Sequence, residues 1–137
     1  MSIIDVIKYY LSEVHDWIVR KPRPVESVVS RYIQGYRHWT SIMSESSYDR
    51  AFCDFIQHWQ IAVKNAKWHS KRVTEDFILR HFFEVEERPM RLELYVSCAR
   101  YCLTERMEGM SKYIVRGLER IYEARRTEKI RRNCGME

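Results

Sequence analysis

The sequence contains no long uninterrupted hydrophobic run. Charged side chains interrupt the apolar N-terminal segment every few residues, at Asp5, Lys8, Glu13 and Asp16. No stretch approaches the roughly 20 apolar residues of a membrane-spanning helix, and the last residues are basic and polar. We therefore expect no export signal, no tail anchor and no stable membrane insertion, and hence a cytoplasmic protein.

Cysteine, glycine and proline are scarce, with four, four and three residues. The cysteines form no CxxC pair, so we expect no disulfide scaffold, and the glycines form no phosphate-binding loop. Cys98 and Cys102 lie four residues apart on one predicted helix. They would bind a metal only with histidines from elsewhere, so we expect buried thiols instead. No motif pairs a histidine with a base or nucleophile, and we expect no enzyme, no metal and no cofactor.

Neither sign of charge is in large excess. The 24 Lys and Arg residues outnumber the 19 Asp and Glu residues by five. A net charge of +5 permits an acidic partner but does not require one. Most basic residues alternate with acidic ones, and the basic excess lies mainly at the C-terminus. We expect no nucleic-acid partner, and keep a small helical nucleic-acid-binding protein as the least favoured alternative.

Apolar residues recur with the 3.6-residue period of amphipathic helices along almost the whole chain. The periodic segments are 3–18, 25–43, 48–61, 73–85, 90–103 and 107–122, with a break or kink at 44–47 and a polar loop at 64–71. Pro89 suits a first helical turn, and the helix that follows it should be the most buried. Gly35 and Gly117 inside helices predict close helix–helix approach. The 137 residues thus predict one all-α domain of six or seven helices over 1–124, and a basic tail at 125–137 that is frayed or an exposed extension.

Several blocks of the sequence resemble, in order, the pro-survival proteins of the Bcl-2 family. The string YDRAFCDF resembles that family's YRRAFSDL, with Tyr48, Arg50, Ala51, Phe52 and Asp54 in matching positions. FILRHFFEVEERPMR resembles the fourth helix and its NWGR motif, with Arg91 at the final arginine. VIKYYLSEVHDWI resembles the first helix, and MRLELYVSCARYC with IVRGLERIY the central hairpin of helices five and six.

The resemblance implies a Bcl-2-like bundle around that hairpin and an anti-apoptotic, non-enzymatic function. Family members hold the BH3 helix of a pro-apoptotic protein in an apolar groove, with a ligand aspartate on the conserved arginine. Carried over, the groove would comprise Tyr48, Phe52, Phe55, Ile56, Ile78, Phe82, Met90, Arg91, Leu94 and Tyr95. Partners would be BH3 motifs of Bim-like and Bak/Bax-like host proteins, and the protein would be cytosolic with transient recruitment to mitochondria.

The departures from the family pattern indicate a viral homologue. Arg88, Pro89 and Met90 stand in place of the Asn, Trp and Gly of NWGR, and Met90 is expected to fill or reshape part of the groove. Two alternatives stay open from the residues. Arg91 pairs either with a ligand aspartate or with an internal carboxylate such as Glu84. The chain is either a BH3-binding protein or a Bcl-2-like module without a working groove, which acts on host signalling or forms a homodimer through a helical face.

Overall fold

The computed structural model describes residues 2–18, 21–37, 47–67 and 70–135. Within these ranges the elements are α-helices and one π-helical turn, and no strand forms, which confirms the all-α prediction. The helices are α1 (Ile3–Ile18), α2 (Val25–Tyr32), α3 (Ser47–Asn65), α4 (Lys71–Val85), α5 (Pro89–Thr104) and α6 (Lys112–Asn133). The π-helical turn Ile33–Arg37 continues α2. The predicted remainder of the second helix and most of the break at 44–47 lie outside the described residues.

The starts of α4 and α6 are fixed by serine caps. Ser70 Oγ accepts a hydrogen bond from Val73 N at 3.3 Å, and Ser111 Oγ accepts one from Ile114 N at 3.3 Å. The Ser111 hydroxyl also donates to the carboxylate of Glu75, which is buried. Because Glu75 belongs to α4, one serine both starts α6 and ties it to α4. The prediction that Pro89 stands in the first turn of a helix, here α5, is confirmed.

The core is built around α5, as its apolar sequence predicts. Leu92, Tyr95, Cys98, Ala99 and Cys102 are all buried, against α3 on one side and α6 on the other. The prediction of buried cysteines on this helix is confirmed. Burial raises the pKa of the Cys98 thiol to about 12, so it stays protonated at neutral pH.

The helix α6 extends further than the sequence pattern predicts. It continues to Asn133, and residues 126–135 are exposed. Of the two predictions for the tail, the exposed extension therefore describes residues 126–133, in helical form. Arg125 anchors its base, with its guanidinium 4.5 Å from the centroid of the Phe83 ring and a 3.2 Å hydrogen bond to the Phe83 carbonyl oxygen. No helix in the described ranges is both long and apolar enough to cross a membrane.

Close helix approach explains only one of the two helical glycines. An added Cβ at Gly117 would lie 3.0 Å from Leu79 Cγ, and both Leu79 methyl carbons would be closer still. This contact between α6 and α4 confirms the prediction for Gly117. Gly35 has nothing within 4 Å of the same position, because it lies on the exposed π-helical turn. The prediction of a close approach at Gly35 is wrong.

The two glycines therefore provide a matched pair of substitutions. Gly117→Ala should lower the free energy of unfolding by up to about 2 kcal/mol, since overpacking costs about 1–3 kcal/mol and the helical preference of alanine returns about 1 kcal/mol. Gly35→Ala should raise it by about 0.4–1 kcal/mol, because it meets no neighbour and restricts only the unfolded chain. Urea unfolding of both variants checks this, and equal shifts would contradict the packing of α6 on α4.

Candidate ligand-binding cleft

An apolar cleft of about 470 Å³ opens between α2 with its π-helical turn, the first half of α3 and the start of α5. Four charged side chains surround apolar walls, and the lining comprises Val29, Tyr32, Ile33, Asp49, Arg50, Phe52, Cys53, Asp54, Ile56 and Arg91. A larger cavity of about 650 Å³ lies between α4 and the α5–α6 loop. We take the smaller cleft as the candidate site because an ion pair stands at its mouth.

The apolar wall of the cleft is positioned by helix α3. Phe52 and Ile56 are one turn apart, so both project from one face of this helix. Tyr32 of α2 stacks on Phe52, with ring centroids 3.8 Å apart, and its hydroxyl donates a hydrogen bond to Asp49. Burial, reinforced by Asp49, raises the pKa of Tyr32, which keeps the hydroxyl protonated as a donor. This contact fixes α2 against α3 and leaves Ile33, 44 % exposed, at the edge of the cleft.

Arg91 lies at the mouth of the cleft in an ion pair with Asp54. The Arg91 side chain is 19 % exposed and that of Asp54 is 45 % exposed. The Arg91 guanidinium also lies 5.7 Å from the centroid of the Tyr95 ring, and its buried Nε has no hydrogen-bond partner among the described residues. The internal carboxylate is thus Asp54. Glu84, which we expected as a possible partner, is not the partner. Its side chain is exposed to solvent, and its Oε1 atom lies 3.8 Å from Nε of Arg80.

The structure divides the ten residues of the expected groove into three groups. Phe52, Ile56 and Arg91 line the cleft, and of these Phe52 and Ile56 are also core residues, with 2 % and 8 % of their surface exposed. Tyr48 and Leu94 are half-buried against the core, and the Tyr48 ring lies 6.1 Å from that of Tyr32 beside the cleft. The other five lie elsewhere: Phe55, Ile78, Phe82 and Tyr95 are buried in the core, and Met90 is 76 % exposed.

Two of these placements correct our expectations. The residue Phe82 does not form a solvent-open wall, because it has no exposed surface and lies 5.3 Å from Phe55 and 5.8 Å from Tyr95, centroid to centroid. Met90 does not narrow the cleft, because it is in the first turn of α5 and faces solvent. Stacked aromatic rings between α3, α4 and α5 therefore fill the space in which an open wall was expected.

The sequence reasoning missed several residues of the cleft. Val29 and Ile33 were part of the apolar periodicity of the second helix, but nothing in that period distinguishes a cleft from a core. Asp54 carries the clearer signal. It lies between Phe52 and Phe55 on an otherwise apolar segment, and such a charge calls for a partner when the helix packs.

Two histidines meet where α3 packs on α4. The Nδ1 atom of His58 lies 3.3 Å from Nε2 of His81, and both rings contact the aromatic cluster around Phe82. At this distance one ring nitrogen must donate and the other accept, so the pair cannot be doubly protonated without breaking the contact. Burial first, and the neighbouring His58 second, lower the pKa of His81, against the opposing charge of Glu84.

This contact predicts a loss of stability in mild acid. The unfolded chain takes up a proton at histidine near pH 6.5, whereas the folded state does so only at the lower pKa. The contribution of His81 to the free energy of unfolding should have its full value above about pH 6.5. It should fall as the pH drops towards the lowered pKa and then level off. Urea midpoints at about pH 7.5 and 5.5 measure it. His81→Gln should show a smaller drop than the unaltered protein, and equal drops would contradict the assignment.

The cleft offers apolar side chains, arginines and carboxylates for contact with a ligand. Within the described ranges, no three His, Cys, Asp or Glu side chains come together as metal ligands. Apolar walls with an arginine and carboxylates at the mouth suit an amphipathic helix that buries one face and presents an acid at its edge. No family model matches the chain, and no match is found among curated proteins or solved structures.

Proposed function

We propose that the protein binds BH3 helices of pro-apoptotic Bcl-2 proteins in this cleft, and so suppresses apoptosis of a host cell as a viral Bcl-2 homologue. The observation that supports this most directly is Arg91 at the mouth of an apolar cleft. The resemblance assigns to this arginine the contact with the ligand aspartate. Phe52 and Ile56, which the same resemblance assigns to the groove, are the apolar side chains beside it.

The ion pair between Arg91 and Asp54 gives the proposal a specific exchange reaction. The Asp54 side chain of this pair is 45 % exposed and that of Arg91 only 19 %, so the mostly buried guanidinium needs a carboxylate partner whereas Asp54 can be hydrated. A ligand aspartate therefore replaces Asp54 at the guanidinium without a large cost to the fold. Asp54 then returns to water through its exposed side. In this proposal Asp54 holds Arg91 in place in the free protein and competes with the ligand for it.

The arrangement of helices supports the proposal in a second way. The helices α5 and α6 make the most extensive helix–helix contact in the described structure, and α5 is buried between α3 and α6. A central hairpin at this point in the chain is what the resemblance implies for a Bcl-2-like bundle. The proposed bundle places the arginine at the start of the buried helix, where the cleft ends.

Titration calorimetry with BH3 peptides of Bim-like and Bak/Bax-like proteins tests the function. We expect saturable one-to-one binding to the unaltered protein. Ile33→Glu should weaken it about tenfold or more, because it places a charge on the apolar rim of the cleft. Ile130→Glu is the matched control, since Ile130 is 50 % exposed on α6 away from the cleft. No heat with any peptide at about 100 µM, or equal weakening by both variants, would contradict the proposal.

The second candidate function is interaction through an exposed helical face, without a working groove. The apolar side chains of α1 favour it, since Ile3, Ile4, Ile7 and Leu11 are 51 to 79 % exposed. Binding of the peptide panel separates the two functions.

A further inference from the structure

The first helix presents an apolar surface that the other described residues leave exposed. Ile3, Ile7 and Leu11 follow one another at four-residue intervals and are 79, 51 and 64 % exposed, with Ile4 beside them at 65 %. Side chains at this spacing lie on one face of a helix. Contiguous apolar patches of this kind mark interaction sites, because a monomer gains nothing from exposing them to water.

The charge of α1 narrows the choice of partner. The helix carries one lysine and three acidic residues, for a net charge of −2, which leaves the rest of the chain at +7. Helices that bind membrane surfaces carry lysine and arginine on the polar face and are attracted to anionic lipids. An acidic helix is repelled by such a surface. The rest of this chain, at +7, attracts it instead, and Arg50 and Arg91 bring two of those positive charges to the cleft beside Asp49 and Asp54.

The cleft is the apolar counterpart of this helix, and both are open in the same conformation. Its lining exposes Ile33 and Cys53, and Arg91 provides a cation at its mouth. Within one chain α1 and the cleft leave each other uncovered. A second copy covers both without any rearrangement of either fold.

We propose that α1 of one copy seats in the cleft of a second copy, and that the reciprocal contact forms a two-fold symmetric dimer. Each dimer then contains two α1–cleft contacts, whereas pairing of two α1 helices would make one. Doubling the buried area brings the interface closer to the size of stable complexes. The inference rests on the proposed function in one respect, namely that the cleft accepts an amphipathic helix.

Dimerisation of this kind regulates the access of a BH3 helix to the cleft. A seated α1 excludes a BH3 helix, so ligand binding and dimerisation compete for the same surface. Added peptide separates the dimer, and raising the protein concentration lowers the apparent affinity for peptide.

Sedimentation equilibrium of the full chain across about 1–200 µM tests the dimer. The mass should rise from the 16.8 kDa of the monomer towards twice that value. Ile7→Glu/Leu11→Glu, which alters the helix, and Ile33→Glu, which alters the cleft, should each weaken dimerisation about tenfold or more. Ile130→Glu should dimerise like the unaltered protein. An equimolar mixture of the helix variant and the cleft variant should form a heterodimer, because one intact α1 then meets one intact cleft.

Three results would overturn the inference. The first is an unaltered protein that stays monomeric over the whole concentration range. The second is Ile33→Glu that dimerises as strongly as the unaltered protein, which would indicate pairing of two α1 helices. The third is an equimolar mixture of the two variants that stays monomeric. Titration of the same samples with a BH3 peptide separates this inference from the proposed function. A monomer that binds peptide contradicts only the α1 contact. If the unaltered protein dimerises but the monomeric helix variant, Ile7→Glu/Leu11→Glu, binds no peptide, only the BH3 function is contradicted, because no α1 then occupies the intact cleft.

Discussion

Phe82→Ala is expected to lower the free energy of unfolding by about 3–5 kcal/mol, the usual cost of truncating a fully buried phenylalanine. The ring has no exposed surface and packs among Phe55, Tyr95 and His81 at centroid separations of 5.3, 5.8 and 5.8 Å. Its removal leaves a cavity where α3, α4 and α5 meet, so all three helices lose contacts at once.

The neighbouring residue supplies the control. Phe83→Ala removes a ring that is 49 % exposed and contacts Arg125, so it should cost about 1 kcal/mol or less. Urea unfolding followed by circular dichroism measures both variants. Similar losses for the two would contradict the assignment of Phe82 to the core. They would instead favour the solvent-open wall that the sequence led us to expect.

Arg91→Ala is expected to weaken binding of a BH3 peptide by about 1–3 kcal/mol, or about 5- to 150-fold, the range for a hydrogen bond to a charged group. Stability should change little, because Asp54, its partner, is half-exposed and returns to water. Arg91→Lys should recover only part of the affinity, since an ammonium group cannot reproduce the two-pronged guanidinium contact. Titration calorimetry gives the affinities, and urea unfolding verifies the fold.

A double-mutant cycle tests whether the arginine contacts the ligand directly. Once Arg91 is replaced by alanine, changing the peptide aspartate to alanine should cost little more. The proposal also specifies the sign of the Asp54→Asn effect. Removal of the competing carboxylate should tighten peptide binding, whereas a purely structural role for the pair would leave it unchanged or weaken it. Simple addition of the two losses in the cycle would place Arg91 in a structural role alone.

The helical period predicted most of the fold but could not divide its apolar residues between core and cleft. Phe52 and Phe82 both lie on amphipathic helices, and the period shows only which face is apolar. What covers that face depends on the packing of other helices. Phe82 is enclosed by rings from α3 and α5. Phe52 is buried by Tyr32 of α2 and Tyr101 of α5, and it also borders the cleft.

The ion pair of the cleft was beyond sequence reasoning for a related reason. Arg91 and Asp54 are separated by 37 positions. Many other carboxylates lie within 37 positions of Arg91 in the sequence, so the sequence does not show which of them is its partner. Glu84 is nearer in sequence, but it lies at the exposed end of α4 beside Arg80. Only the crossing of α3 over the start of α5 selects Asp54.

The most direct test of where a BH3 helix binds uses the exposed cysteines of the protein itself. Cys53 lines the cleft, Cys134 is exposed at the end of α6, and Cys98 and Cys102 are buried. Alkylation is followed by mass spectrometry at low protein concentration, with and without saturating peptide. We expect bound peptide to slow modification of Cys53 about tenfold or more and to leave that of Cys134 unchanged, because thiol reactivity depends on access. Unchanged modification of Cys53 with the peptide bound would show that the ligand lies elsewhere.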